Sequence, residues 1–133
     1  MDRHPKRSPL ARALGLGSAR SGTAHWWAER VSAIALVPLA VWFAASLIAR
    51  AGSDHAAVRA WLGNPLAATS LILLLFALFH HTALGLQVVI EDYVHGASRF
   101  AALVAVRLGC FAFATVGIVA TLGIAFGGWG GTP

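Results

Sequence analysis

Residues 66–93 read LAATSLILLLFALFHHTALGLQVVIEDY, and their reading decides the fold. From Leu66 to Ile90 the run contains no Asp, Glu, Lys or Arg. A helix rises about 1.5 Å per residue, so this run spans a hydrocarbon core about 30 Å thick. Working outward, two more runs behave alike. Val31–Ala49 is free of charge and is closed by Arg50, and Phe100–Phe126 is interrupted only by Arg107. The expected fold is therefore an all-α membrane protein with three transmembrane helices, over about 31–49, 66–90 and 100–126. Pro38 removes one backbone hydrogen bond in the first span and predicts a mild kink there. Trp26 and Trp27 precede that span, where amphipathic rings favour the headgroup level. Between the first two spans lies a short polar connection with Gly52, Ser53, Asp54 and His55.

Composition supports the membrane reading. The chain is 58% hydrophobic and 11% charged, with a mean hydropathy of +0.72. Soluble domains are about a quarter charged, and 133 residues are too few to bury so much apolar surface internally. The remainder faces lipid or other apolar chains. The lone Cys110 excludes an internal disulfide or a paired-thiol metal site and reads as a small packed residue. The net charge of +5 does not indicate nucleic acid, because five of the ten basic residues (Arg3, Lys6, Arg7, Arg12, Arg20) precede the first span. They read as a topology signal or a headgroup-binding arm. No apolar signal-peptide core precedes Trp26, so residues 1–20 read as a retained, flexible cytoplasmic tail. Residues 21–127 form the membrane domain, and 128–133 a short Gly-rich tail.

The basic residues also set the orientation. Six precede the first span, counting Arg30, whereas the first loop has Arg50 and Arg59 offset by Asp54. Arg99 lies in the second loop, and Arg107 is near enough to reach the interface by extending its side chain. The amino terminus and second loop are thus expected in the cytoplasm and the carboxyl terminus across the membrane. Gly109 and Gly117 in the third span suggest close helix contact.

The polar end of the opening stretch carries the chemistry. At about 100° per residue, His81, Gly85, Val88 and Asp92 share one stripe, while His80 points to another face. His81 lies about 16 Å along the axis from Asp92, near the centre of the membrane core if Asp92 marks the interface. An ionisable side chain there is a functional candidate. Two readings stand: axial ligation of haem iron through a ring nitrogen, or a hydrogen bond to a neighbouring helix. Gly85 leaves room one turn away for a flat macrocycle or another helix. Tyr93 can donate to a quinone carbonyl with Asp92 beside it, although an interfacial Tyr with an end-of-helix Asp is the commoner arrangement. Arg30, at the edge of span one, suits a carboxylate such as a haem propionate, or a lipid headgroup. His80 reads as structural or as a neighbour supporting the ligand, His25 is a weaker candidate than Arg30, and His4, His55 and His95, in tails and loops, receive no role. No phosphate loop, HExxH or nucleophile elbow is present.

Two blocks carry a resemblance. They are Ser21-Gly22 through Arg30 with Ser32-Ala33-Ile34, and His81-xxx-Gly85-x-Gln87-xxxx-Asp92-Tyr93. With three spans around them, over roughly residues 20–127, the chain resembles the hydrophobic membrane anchor subunit (D-type) of bacterial succinate dehydrogenase, respiratory complex II. The resemblance implies one subunit of a heteromeric helical bundle in the bacterial inner membrane. Its partners would be a second anchor (cytochrome b), an iron–sulfur subunit and a flavoprotein subunit. It implies His81 as one axial ligand of a b-type haem shared with the second anchor, which supplies the opposite His. It also implies Tyr93 at ubiquinone, Asp92 shaping that site, and Arg30 near haem propionate or quinone. The chain carries no flavin or cluster ligands and so no complete active site. The cytochrome b anchor of the same complex is the nearest rival, but that family carries Arg-His-Leu after the glycine where this chain has Leu86-Gln87-Val88. A small transporter subunit would want a polar path along several spans, and spans one and three lack one. A cofactor-free assembly subunit is the remaining alternative.

Overall fold

A computed structural model describes residues 19–127, and every regular element within them is helical. Helix α1 covers Ala19–Ala49, α2 His55–Leu62, α3 Pro65–Tyr93 and α4 Ala97–Ala125. Three of these, α1, α3 and α4, are long and apolar enough to cross a membrane, as the charge-free runs predict. Of the basic tail expected over residues 1–20, only Ala19 and Arg20 fall within the described residues, where they open α1. The Gly-rich end expected at 128–133 lies outside them.

The long helices outrun their apolar spans. Helix α1 has 31 residues and continues through Pro38 without a break, so it is about 46 Å long and exceeds the hydrocarbon core by about 16 Å. Its excess lies at the amino-terminal end, ahead of Val31. Helix α3 begins where the local chemistry demands: Pro65 needs no amide donor in the first turn, and Asn64 Oδ1 accepts from the Leu66 and Ala67 amides at 2.9 and 3.4 Å. Its last amide bond runs from Val94 to the Ile90 carbonyl. Gly96, at φ 72°, then turns the chain into α4.

The connection expected to be merely polar contains α2. Asp54 Oδ1 accepts from the Ala57 amide at 2.8 Å and caps this eight-residue helix. Trp61 holds it against the end of α1: its ring lies 6.0 Å from Trp42, and the Arg50 guanidinium sits 4.4 Å over its face.

Helix α3 is central. It packs against α1 on one side and α4 on the other, and α1 and α4 do not meet. The result is an open row of three helices. Among the described residues its buried apolar side chains are few and mostly small: Ala67, Ala68, Leu74, Ala77 and Ile90. Large side chains such as Ile48, Leu66, Phe100 and Phe111 are all more than 70% exposed. Such a surface is stable only against lipid or partner chains.

Candidate functional site

The seam between α1 and α3 carries a hydroxyl–imidazole contact. Ser32 Oγ lies 3.0 Å from His81 Nδ1 and 2.9 Å from the Glu29 carbonyl oxygen of its own helix. Ser32 is only 7% exposed, so water competes little for this pair. A carbonyl cannot donate, so the single hydroxyl proton of Ser32 is directed to Glu29, leaving the Ser32 oxygen as an acceptor.

This contact also sets the register of α1 on α3. Ser32 stands at the start of the charge-free run of α1, so His81 is level with that start rather than with its middle. Along α3, His81 is about 14 Å from Ile90 and about 22 Å from Leu66. Along α3 alone His81 stays within about 5 Å of the middle of the 66–90 run, while the Ser32 contact sets it level with the Arg30 end of the α1 run. Residues 19–31 of α1 run alongside the last turns of α3.

Beside the contact is an open groove of about 570 Å³ lined by Trp26, Arg30, Ala33, Ile34, Val37 and His81, among others. Arg30 is exposed and lies 4.7 Å over the Trp26 ring, which holds a cation at the mouth of an apolar surface. An imidazole, a guanidinium, the acidic Glu29 and an apolar wall thus share one concavity. Among the described residues no three His, Cys, Asp or Glu side chains gather to hold a metal ion. A metal bound through His81 would therefore need its remaining ligands from outside the described residues.

The family model described as succinate dehydrogenase/fumarate reductase transmembrane subunit matches residues 4–122. The chain belongs to this family. Relatives of this succinate dehydrogenase/fumarate reductase transmembrane subunit include proteins named succinate dehydrogenase hydrophobic membrane anchor subunit. The one from Rickettsia bellii is 35% identical over 66% of this chain and 70% of its own length. That from Paracoccus denitrificans is 35% identical over 73% and 75%, and that from Rickettsia conorii 29% over 86% and 92%. No solved structure matches the chain significantly.

Of the four residues singled out by sequence, the transmembrane subunit brings His81 and Arg30 to one groove. Asp92 and Tyr93 stand apart from it, at the end of α3, about 16–18 Å along the axis from His81. Both are exposed, Tyr93 at 80%. Gly85 has nothing within 4 Å of where a Cβ would stand, so within this chain it leaves open space beside the His81 face. His80 stacks on Phe76, with ring centroids 5.9 Å apart and planes 3° from parallel. It lines a second cavity of about 330 Å³ between α3 and α4, together with Arg107, Cys110 and Gln87.

Sequence reasoning fixed no role for three features. Ser32 is one, because its partner lies 49 residues away. His25 Nε2 is buried with no hydrogen-bond partner; it precedes Ser32 by two helical turns and so shares its face. The third is a chain of polar contacts between α3 and α4. Arg107 donates to Gln87 Oε1 at 2.9 Å, and Gln87 Nε2 donates to Glu91 Oε1 at 3.0 Å. Arg107 thus meets a side-chain amide on the next helix, where an extension to the interface was expected.

Proposed function

We propose that this chain is the hydrophobic membrane anchor subunit of a succinate:quinone oxidoreductase. It would lie in the inner membrane with its amino terminus and second loop in the cytoplasm. A second anchor (cytochrome b), an iron–sulfur subunit and a flavoprotein subunit complete the complex. The names of its relatives support the anchor reading, and the two lines of exposed apolar side chains on α1 and α4 suit a chain that packs against other membrane subunits.

The observation that carries the cofactor reading is the shared groove of His81 and Arg30. A b-type haem brings four nitrogen donors of its own, so it needs from this chain one imidazole, an apolar face and a cation for a propionate. His81, the Ala33–Ile34–Val37 wall and Arg30 supply these three. The groove is open, and the second anchor would close it and supply a further ligand. When bound, haem supplies a one-electron carrier within the membrane. The work of this chain is to hold and orient that group and to exclude lipid and water from its edge.

Quinone is assigned to the rim. Tyr93 is free to donate its phenolic hydrogen to a quinone carbonyl. Asp92, next in the chain, orients the phenol or returns protons to it from cytoplasmic water. Reduction of ubiquinone takes two electrons and two protons, and the electrons come from succinate oxidised on the flavoprotein by way of the iron–sulfur subunit.

The test uses the whole complex in membranes. His81→Ala should abolish the b-type reduced-minus-oxidised haem spectrum; an unchanged spectrum removes the ligand assignment. Tyr93→Phe should lower succinate–quinone reductase activity about 10-fold or more, in the range typical of a lost proton donor, with succinate oxidation by an artificial acceptor intact. Equal loss of both activities would mean that the residue serves assembly instead.

A further inference from the structure

The bond between Ser32 and His81 does more than join two helices. We infer that Ser32 is a positioning residue that fixes His81 as the Nδ1–H tautomer and so presents Nε2 as the lone-pair nitrogen. This rests on the haem reading given above.

A neutral imidazole carries one N–H, on either nitrogen, and in free solution the two forms exchange. Only the nitrogen without hydrogen binds a metal. The structure decides between them through the hydrogen count of Ser32. Its hydroxyl lies 2.9 Å from the Glu29 carbonyl oxygen and 3.0 Å from His81 Nδ1. The carbonyl has no hydrogen to give, so the Oγ–H must point there or the two oxygens repel. The Ser32 oxygen then faces Nδ1 with lone pairs only, and Nδ1 must be the donor. The proton is accounted for on both sides, and Nε2 is left bare.

Two further features make this a built arrangement. The back-bond to Glu29, three residues earlier on the same helix, fixes the Ser32 rotamer, so the acceptor is aimed before His81 arrives. Ser32 is nearly buried, and in that low-dielectric seam the Nδ1–H···O bond restrains ring rotation more than it would in water. A bond to the distal ring nitrogen also raises the basicity of the ligating one, which favours the oxidised, more positive iron.

The experiment compares Ser32→Ala, Ser32→Thr, Ser32→Cys and His81→Ala in the assembled complex, reading haem content per flavin and the haem midpoint potential by optical redox titration. Ser32→Ala should lower haem retention about 10-fold under mild detergent washing, as loss of such outer partners does. The haem that remains should titrate at a higher potential. Ser32→Thr keeps the hydroxyl and should restore both values. Ser32→Cys, nearly the same size with a weak acceptor, should shift the potential in the same direction as Ala, and it carries the test if the Ala variant does not assemble.

A wild-type potential and retention in both Ala and Cys variants would overturn the inference, as would a Thr variant indistinguishable from Ala. Failure of the underlying reading looks different: haem would then persist in His81→Ala, whatever happens at Ser32. A merely structural role for Ser32 would lower the amount of complex without moving the potential of what assembles.

Discussion

The two seams of α3 are built in different ways. Toward α4 the helices close at the Gly117–Thr121 end and part around the cavity beside His80 and Arg107. A Cβ on Gly117 would stand 3.0 Å from Leu75 Cδ1, Phe79 stacks with Phe113 at 6.2 Å and 14°, and Thr121 is buried with its hydroxyl donated to the Gly117 carbonyl. Toward α1 the seam holds a hydroxyl–imidazole pair and opens into a groove carrying Arg30. In lipid, small residues that let backbones approach are a main source of helix association, since apolar side chains gain little by leaving hydrocarbon. The α3–α4 seam uses that source and forms a firm pair. The α1–α3 seam gives up close packing for a polar contact and an unfilled surface. Helix α3 thus has a close contact on one side and an unfilled groove on the other.

The largest effect on this comparison should come from Gly117→Val. Leu75 can yield only part of the needed space, and overpacking of a close contact costs about 1–3 kcal/mol. The detergent-solubilised complex should unfold at a clearly lower temperature, while the haem spectrum keeps its shape because the change lies on the far side of α3 from Ser32. A spectral change of the size seen for Ser32→Ala would show that the seams are coupled and break the division. Gly109, with open space around it, should accept Ala without penalty, so the glycine spacing alone does not mark the contact.

Much of this division could be read from the residues, and the parts that could not share one cause. Length and absence of charge fixed the three spans, because in a bilayer an unpaired backbone forces helix over any long apolar run. The 3.6-residue period put His81 and Asp92 on one stripe and His80 off it; in the structure His80 stacks on Phe76, a turn before it in the same helix. Helix α2 was missed although Asp54 stands three residues before Ala57; one short capped turn is a weak signal inside a polar loop. The close contact expected at Gly117 is found, against Leu75, whereas the Ser32–His81 and Arg107–Gln87 bonds depend on how one helix slides along another. No local pattern sets that register. The level of His81 against α1 belongs with them, since a single helix measures distance along itself but not against its neighbour.

A middle-sized effect is expected where the α3–α4 seam turns polar. Gln87 stands between a guanidinium and a carboxylate, accepting from Arg107 and donating to Glu91. Gln87→Leu strands the Arg107 charge beside the apolar groove and should cost about 1 kcal/mol, near the upper range for single polar contacts between membrane helices. Arg107→Leu should relieve most of that loss in the double variant, because the stranded charge is gone. Thermal stability of the four complexes checks this. Additive losses would mean that the two side chains act separately and that the seam is held by its packed end alone.

The smallest effect belongs to the pair at the rim. Arg99 Nη2 lies 4.0 Å from Glu91 Oε1, with side chains 46% and 38% exposed. At that distance and exposure water and salt screen most of the attraction, and the ordering of two long side chains offsets the rest. Arg99→Gln should change stability by no more than about 0.5 kcal/mol. The result discriminates because Arg99 is also the basic residue of the second loop. If complex levels in the membrane fall sharply while the assembled fraction melts normally, Arg99 acts during insertion, by holding that loop on the cytoplasmic side. The rim beside Asp92 and Tyr93 would then be fixed by topology, and the α3–α4 seam below it by packing.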